Sequence, residues 1–306
     1  MKNSNFINYV LLLCIALIWG SQFMFNEIAL AHIGPTFVAA CRGVIGMITL
    51  SIIVIFLKES PEVKTFSPRH YLYFFIIGFF EATLPFSLVT WGQQHVDSSI
   101  AAILMSTVPL FTILFVALFA KSEKLNRYKI SSIALGFIGV MVLLGPQALT
   151  HGTHLLNNLG GEIAILGGAC SFAISLVMIR HIAHLSAIRC ARNILFCASI
   201  QMLPLSFIIE RPLHMHYTWG GIGSLLVLGI LAAGIVYVLY VTLIKRAGAA
   251  FTSLNSYLLP VIGLALGVAI LHEPFYWNSG VALLILLLAM GLSAIKPKSI
   301  NTCKKS

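Results

Sequence analysis

The sequence predicts an all-α integral membrane protein, with ten transmembrane helices arranged as two inverted five-helix repeats. Three observations predict this fold class. Of the 306 residues, 59% are hydrophobic and 9% are charged, with a mean hydropathy of +0.97, whereas soluble domains carry about 25% charged residues. Apolar segments long enough to cross a bilayer follow one another along the whole chain. The second half of the chain also repeats landmarks of the first.

The candidate spans come first, because a helix needs about 20 apolar residues to cross a hydrocarbon core of about 30 Å. Turns that contain Gly-Pro, Ser-Pro or Arg-Pro pairs separate several of them. The predicted limits are 6–27, 36–57, 71–91, 99–120, 128–146, 160–180, 189–209, 218–243, 250–271 and 275–295. No segment is left for a soluble domain, so the lipid bilayer is the expected surrounding of the whole chain.

The first apolar run has an alternative interpretation as a secretory signal peptide. Lys2 precedes it, and the Ala-Leu-Ala triplet at 29–31 resembles a cleavage site. The run from Phe6 to Phe25 is longer than the apolar core of such a peptide, which has about 7–15 residues. Its removal would also break the pairing of the two halves. We therefore interpret it as the first transmembrane helix.

The repeat is most visible in the stretches 92–124 and 245–274. Each has a polar or basic turn, an apolar run with a central proline, and then a glutamate. Equivalent landmarks lie 150 or 151 positions apart in three pairs: Pro109 and Pro260, Gly78 and Gly229, and Glu123 and Glu273. Such a duplication within a membrane protein indicates two repeats. The predicted units are residues 1–150, with spans one to five, and residues 151–306, with spans six to ten and a short basic tail.

Basic residues predict how the chain crosses the membrane. With the N-terminus in the cytoplasm, all of the 19 Lys and Arg residues except Arg211 and Arg42 fall in cytoplasmic connections or tails. Cytoplasmic loops carry such an excess, so both termini are expected in the cytoplasm. Five spans per half then place the second half upside down relative to the first. Secondary transporters use this arrangement for alternating access to a site near the bilayer midplane.

Composition and motifs also exclude several classes of protein. The net charge of +10 is not gathered into the basic domain or aromatic platform that nucleic-acid binding requires. Five of the six cysteines lie inside apolar runs and no CxxC pair occurs, so neither a disulfide framework nor a metal site is expected. Walker A, HExxH and GxSxG motifs are missing. No cofactor, metal or nucleic-acid partner is therefore expected.

Several motifs give the chain a family resemblance. The first half has Trp19-Gly20-Ser21, then Pro35 followed by Arg42, and then LPFSLVTWGQQHVDSSIAAILMSTVPLFT from Leu84 to Thr112. The second half has Pro260 and the turn His272-Glu273-Pro274. In these motifs the chain resembles the EamA-type ten-helix members of the drug/metabolite transporter superfamily over nearly its whole length. Members more often have Gly-Glu-Pro at that turn.

The resemblance implies a transporter of the bacterial inner membrane that moves small organic solutes, often amino acids or related metabolites, outward. It also implies a proton gradient as the driving force in many members. The second half departs from the first at the Trp-Gly-Ser position, where it has Ser171-Phe172-Ala173. Whether both halves contribute equally to a substrate site therefore stays open.

Two ionisable residues within the spans are the first candidates for function. Glu81 lies in the middle of the third span, where a charge costs roughly 2.5–3.5 kcal/mol on insertion scales and usually marks a pathway. We predict that it binds a proton or a substrate amine; the alternative is a glutamate that only joins helices. Arg42 is predicted to bind a substrate carboxylate or to neutralise Glu81. Its alternative is a side chain that extends to the outer headgroups.

Polar and aromatic residues of two other spans are candidates for the wall of the pathway. Trp19 and Gln22 lie near the middle of the first span, and Asn26 continues the face of Gln22 one turn later. Simple helix packing is the alternative for this group. Tyr237 in the eighth span is predicted to present its ring and hydroxyl to the cavity, unless it is an interfacial tyrosine.

The two central prolines are predicted to bend their helices, because proline removes a backbone hydrogen bond and frees a carbonyl. Asn255 and Tyr257 precede Pro260, and glycines follow it in GxxxG spacing. This pattern suits a gate or substrate wall, or alternatively close helix packing. Pro109 is the equivalent bend in the first half.

The sequence thus favours a proton-coupled secondary transporter over an enzyme. The expected partners are lipid, a small-molecule substrate and protons, and a homodimer stays open. Two alternatives remain from other classes. An integral-membrane enzyme would need the motifs that are missing, and a membrane scaffold subunit would need polar midplane residues without a pathway.

Overall fold

A computed structural model describes residues 2–56, 66–119, 127–150, 155–182, 185–215, 217–247, 249–252 and 254–294. All regular elements within these ranges are helical. The connections that carry much of the predicted cytoplasmic charge lie outside the described residues, and so does the landmark Glu123.

Within the described ranges, helical segments α1 to α10 follow the order of the predicted spans. The first half contains α1 (Lys2–Leu30), α2 (Pro35–Phe56), α3 (Pro68–Gly92), α4 in two pieces (Ser98–Met105 and Val108–Phe119) and α5 (Arg127–Thr150). The second half contains α6 (Leu155–Ile179), α7 (Ala187–Glu210), α8 (Trp219–Ala247), a short helix (Ala249–Thr252), α9 (Asn255–Ile270) and α10 (Trp277–Ser293). Eight are long and apolar enough to cross a membrane, while α9 and α10 are shorter apolar helices. The predicted all-α membrane fold is confirmed.

Several predicted limits differ from the structure by three to five residues, and two of these differences have local reasons. The third helix begins at Pro68 rather than at residue 71, because proline suits the first helical position and the Ser67 N–H is capped by His70 Nδ1 at 3.1 Å. The ninth helix begins at Asn255 rather than at residue 250. A separate short turn, Ala249–Thr252, occupies the predicted beginning.

π-helical turns interrupt α3 at Phe79–Thr83 and α8 at Val227–Ile235. Shifting the first by the 151-residue spacing of the repeat places it within the second. In α3, Pro85 has no N–H for the carbonyl of Glu81 four residues earlier, whereas α8 forms its π turn without a proline. Because π turns occur often at functional sites, the position of Glu81 inside one is informative.

The two central prolines have different local structures. Helix α4 is broken at Ser106 and Thr107, just before Pro109, and each hydroxyl there bonds a carbonyl of the preceding turn at 2.6 Å. Pro109 thus becomes the second residue of a restarted helix, where a backbone N–H would have no partner within the helix. Helix α9 instead runs without a break through the buried Pro260.

The main packing pairs of helices stay the same when each helix is replaced by its equivalent in the other half. The pairs α5–α10, α2–α7 and α4–α9 each join a helix to the one five places later. In addition α1 packs against α8 and α9 while α6 packs against α3 and α4, and α3 packs against α7 while α2 packs against α8. This exchange property is expected for two structurally equivalent five-helix halves.

Large apolar side chains cover the outside of the bundle. Met141 on α5 and Ile208 on α7, for example, are 73% and 77% exposed in the absence of lipid. Buried polar residues, in contrast, lie on faces that point into the bundle. The buried polar groups inside the bundle are therefore the candidates for function.

Candidate functional site

Glu81 joins the two halves of the protein at the π turn of α3, where it is only 7% exposed. Its Oε2 is hydrogen-bonded to the hydroxyl of Ser175 on α6. Its Oε1 accepts a hydrogen bond from the hydroxyl of Tyr237 on α8, with an O–O distance of 3.2 Å. Both partners belong to the second half, so Glu81 is the point at which side chains of α3, α6 and α8 meet.

The Ser175 hydroxyl allows this carboxyl group to exist in two protonation states. It has one proton and two neighbouring acceptors, Glu81 Oε2 and the carbonyl of Phe172 at 2.7 Å. When Glu81 is ionised, Ser175 donates to the carboxylate. When Glu81 is protonated, it donates to Ser175, which then donates to Phe172. Neither state leaves the carboxyl group unpaired, a defect that would cost about 1–3 kcal/mol.

Arg42 on α2 lies inside the bundle and is 6% exposed. Its guanidinium donates to Gln22 Oε1 on α1 at 2.5 Å and lies 4.1 Å from the centroid of the Phe86 ring. The burial contradicts the alternative in which Arg42 extends to the headgroups. Within the described ranges it forms no ion pair with Glu81, and its Nε has no hydrogen-bond partner. Arg42 therefore retains a buried donor for another group.

An aromatic group connects α1 to α8 beside Glu81. The Trp19 ring contacts the rings of Tyr237 and Tyr240, with centroid distances of 6.2 and 5.3 Å. Trp19 Nε1 also donates to the carbonyl of Ala232, in the π turn of α8, at 3.3 Å. The structure thus brings Trp19 and Tyr237 together, and their shared role in the pathway stays a prediction.

Gln22 and Asn26 lie on one face of α1 but bind different partners. Gln22 accepts from Arg42, whereas Asn26 Nδ2 donates to Gln93 Oε1 at 2.9 Å. Gln93 in turn donates to the carbonyl of Phe23 at 2.9 Å. Sequence reasoning missed Gln93, although an amide directly after a span was a usable signal. Asn26 therefore belongs to a second polar pair, separate from the Glu81 group.

Asn255 and Tyr257 lie near the beginning of α9. Asn255 is 4% exposed and its Oδ1 has no partner among the described residues. Tyr257 is half-buried. Neither forms a hydrogen bond with the Glu81 group within the described ranges, so their predicted roles in the pathway stay predictions.

Two further glutamates cap the beginnings of helices in the first half. Glu210, the last residue of α7, accepts hydrogen bonds from the backbone N–H groups of Thr36 and Phe37 at 2.6 and 2.8 Å. Glu273, which follows α9, accepts from the N–H groups of Ser98 and Ser99 at 2.9 and 3.0 Å and from the Ser98 hydroxyl at 2.5 Å. The sequence analysis identified Glu273 only as a landmark of the repeat and as part of the family-like turn, and it did not identify Glu210.

Other acidic residues lie near the same helix ends. Burial raises the pKa of Asp97 above its ordinary value, and the charge of Glu273 raises it further. Glu162 near the beginning of α6 is 1% exposed, and neither of its oxygens has a partner in the described structure. Glu162 thus differs from Glu210 and Glu273, whose carboxylates are satisfied by helix N-termini.

The described part of the chain contains no group of three or more His, Cys, Asp and Glu residues that could hold a metal ion. A small apolar cavity lies between α4, α5 and α6 and is lined by Thr107, Leu110, Phe111, Gly136, Phe137, Val140 and Leu166. None of the predicted site residues lines it. The buried polar group around Glu81 and Arg42 is the stronger candidate for function.

The chain matches the model of the EamA-like transporter family twice, over residues 6–145 and 159–295. It is similar to the uncharacterized transporter YoaV of Bacillus subtilis (strain 168), at 25% identity over 268 residues that cover 87% of this chain and 89% of that protein. It is also similar to the uncharacterized inner membrane transporter YedA of Escherichia coli (strain K12), at 26% identity over 284 residues, covering 92% and 88%. A solved structure described as the crystal structure of a protein shares the fold, with a TM-score of 0.66 over 96% of this chain and 97% of that one, at 16% identity.

Proposed function

This chain belongs to the EamA-like transporter family, and from that membership we propose that it is a secondary active transporter of a small organic solute. The solute is an amino acid or a related metabolite, which the protein exports in exchange for protons. Transport proceeds by alternating access between two inverted five-helix halves. The protein is a multi-pass membrane protein, and its relatives are named as transporters, which supports transport rather than catalysis.

The observation that carries the proposal is the set of hydrogen bonds around Glu81. Its carboxyl group belongs to the first half, while both of its partners, Ser175 and Tyr237, belong to the second. Gaining or losing a proton reverses the direction of the bond to Ser175. The interaction between the halves therefore depends on whether a proton is bound, which is the requirement for coupling a proton to alternating access.

Charges of both signs near the aromatic group support a zwitterionic solute. Arg42 has a buried Nε without a partner in the described structure, which suits a carboxylate. Glu81 provides a carboxyl group that suits either a proton or an amine. The rings of Trp19, Tyr240 and Phe86 surround these groups with apolar surface. An amino acid combines the three features that such a site would recognise.

Three findings support the inverted repeat. The family model matches once in each half, the helix pairs are unchanged when the halves are exchanged, and the π turns of α3 and α8 occur at equivalent positions. Basic residues support cytoplasmic termini. The printed name of YedA, an inner membrane transporter, supports placement in the bacterial inner membrane.

The test is flux into proteoliposomes with an imposed pH gradient, with each proteinogenic amino acid offered in turn as a radiolabelled probe. Glu81→Gln mimics the protonated glutamate, because the amide can accept from Tyr237 and donate to Ser175. We expect the variant to keep solute exchange without a gradient but to lose acceleration by the gradient. Glu162→Gln is the matched control, because it makes the same change at a buried glutamate outside this group.

Equal gradient dependence in the wild type and in Glu81→Gln would overturn proton coupling through Glu81. Absence of flux for all amino acids would overturn the solute class. A pH-sensitive dye inside the vesicles then gives an independent measurement, because proton movement must accompany solute movement in the wild type and in Glu162→Gln.

A further inference from the structure

Glu273 and Glu210 each connect the end of a helix in the second half to the beginning of a helix in the first half. Neither glutamate belongs to the proposed transport site. Glu273 follows α9 and caps the beginning of α4. Glu210 ends α7 and caps the beginning of α2. The predicted topology places all four helix ends on the outer side of the membrane. Both glutamates thus link the second half to the first on one face.

Each carboxylate lies against a glycine and has a sequence neighbour with left-handed backbone. Glu273 packs against the bare Cα of Gly267, the second glycine of the GxxxG pattern in α9, and Glu210 packs against Gly34. A Cβ at either glycine would occupy the position of the carboxylate. Each glutamate also has a neighbour with left-handed backbone, His272 at a φ of 56° and Arg211 at a φ of 45°.

The beginnings of α2 and α4 attract these carboxylates, although both helices are remote in sequence from the glutamates. A left-handed residue ends the helix beside each glutamate and turns the chain there. A helix N-terminus carries unpaired N–H groups and a partial positive charge, so it favours a carboxylate. Both contacts are therefore specific charge-assisted interactions between helices, rather than chance contacts of exposed side chains.

The packing of α4 and α9 shows what the Glu273 contact holds together. Helix α9 packs against the first piece of α4, Ser98–Met105, where Gly263 lies against Ala102. The second piece of α4, Val108–Phe119, packs mainly against α6 and α5. The two helices therefore meet at the end that Glu273 closes and separate toward the other end.

We propose that Glu273 and Glu210 are latches that keep the outer side closed, and that both must release their helix N-termini before the outer side opens. This inference rests on the proposed alternating access. Asp97 and Glu27 lie within electrostatic range of Glu273, so the latch holds against the repulsion of neighbouring carboxylates. Such a contact is suited to open and close. The sequence equivalents one repeat earlier are Glu59 and Glu123, which lie outside the described residues.

Alkylation of a single cysteine tests the Glu273 latch without any transport measurement. Ser99→Cys is a conservative change at a residue that is 3% exposed beside the latch, and it is made in a protein whose native cysteines are replaced. In lipid nanodiscs a maleimide reaches both faces, so the result does not depend on the predicted topology. We expect Glu273→Gln to increase the labelling rate about tenfold. Losing one charge-assisted hydrogen bond increases the fraction of open molecules by about this factor, and the cysteine is labelled only in the open molecules.

Glu162→Gln is the matched control and should leave the labelling rate unchanged. An unchanged rate in Glu273→Gln, or an equal increase in both variants, would overturn the latch. If Glu273→Gln does not fold, Ser98→Ala removes only the hydroxyl donor to Glu273 and should still increase labelling; an unchanged rate there overturns the proposal too. Because labelling needs no solute and no gradient, this result stands apart from failure of the flux experiment.

Discussion

The Glu210 contact gives a prediction whose magnitude follows from the structure. Glu210→Gln keeps one carbonyl oxygen but replaces the second acceptor with an amide NH₂, which faces a backbone N–H of Thr36 or Phe37. Losing one hydrogen bond to a charged group costs about 1.5–3 kcal/mol, and losing the charge at the beginning of α2 costs a further 0.3–1 kcal/mol or so. Since Glu210 is partly exposed, we expect the free energy of unfolding to fall by about 2 kcal/mol.

Thermal unfolding of purified protein in detergent, followed by the fraction that stays monodisperse, measures this loss. With an unfolding entropy of about 2.1 cal/mol/K per residue, a loss of about 2 kcal/mol corresponds to a fall in apparent Tm of about 3 °C for 306 residues. Glu162→Gln is the control, because neither oxygen of Glu162 has a partner in the described structure. Its Tm should stay the same or rise, since a buried carboxyl group without partners is removed. Equal falls in Tm for the two variants would refute the capping role of Glu210.

Three further predictions address other contacts. Tyr237→Phe removes the hydroxyl bonded to Glu81 and should slow gradient-driven flux about 2- to 10-fold. Tyr240→Phe should not slow it, because the Tyr240 hydroxyl is not bonded to Glu81. Equal flux in the two variants would contradict this prediction. Gly263→Val inserts a side chain between α9 and α4 and should lower stability by about 1–3 kcal/mol in the same thermal assay. Burial and a neighbouring carboxylate raise the pKa of Asp97, so ionised Asp97 destabilises the folded state above its unfolded pKa. Asp97→Asn should therefore raise Tm at neutral pH and not below about pH 3.9.

The fold could be predicted from the sequence because a bilayer constrains it strongly. A run of about 20 apolar residues must be a helix in lipid, since no other open structure satisfies its backbone. The predicted order of spans therefore agrees with the structure, while several helix limits differ by three to five residues. Periodic hydrophobicity did not indicate the π turns at Phe79–Thr83 and Val227–Ile235, because they depend on which carbonyls find partners.

The site could be predicted only in part, because a rule about intramembrane charge identifies residues but not their partners. Glu81 and Arg42 stood out by that rule, and Tyr237 was expected to face the cavity. Ser175 did not stand out, since a serine in an apolar helix is most often a small packing residue. Its importance comes from lying opposite Glu81 across the two halves, a contact between residues 94 positions apart.

The role of the two latch glutamates could not be predicted from the sequence, because their position in the chain is not unusual. Glu210 and Glu273 lie at C-terminal ends of helices, where a charged side chain in a turn is expected to be solvated. Their role depends on the N-termini of α2 and α4, which are remote in sequence. The left-handed φ of 56° at His272 gives a physical reason for the Gly-Glu-Pro turn that the family resemblance implies here, because glycine adopts that backbone without a Cβ penalty.

Helix α1 connects the proposed transport site to the region of the proposed Glu273 latch. Trp19 and Gln22 contact the groups around Glu81 and Arg42, and Asn26 binds Gln93, five residues before the N-terminus that Glu273 caps. From Trp19 to Asn26 is seven residues, or about 10 Å along a helix, and α1 runs through this stretch without a break. A rigid helix transmits a shift at one end to the other. A change in protonation at Glu81 that moves Trp19 would therefore also strain the Asn26 pair, which gives the central carboxyl group a direct mechanical connection to the outer closure.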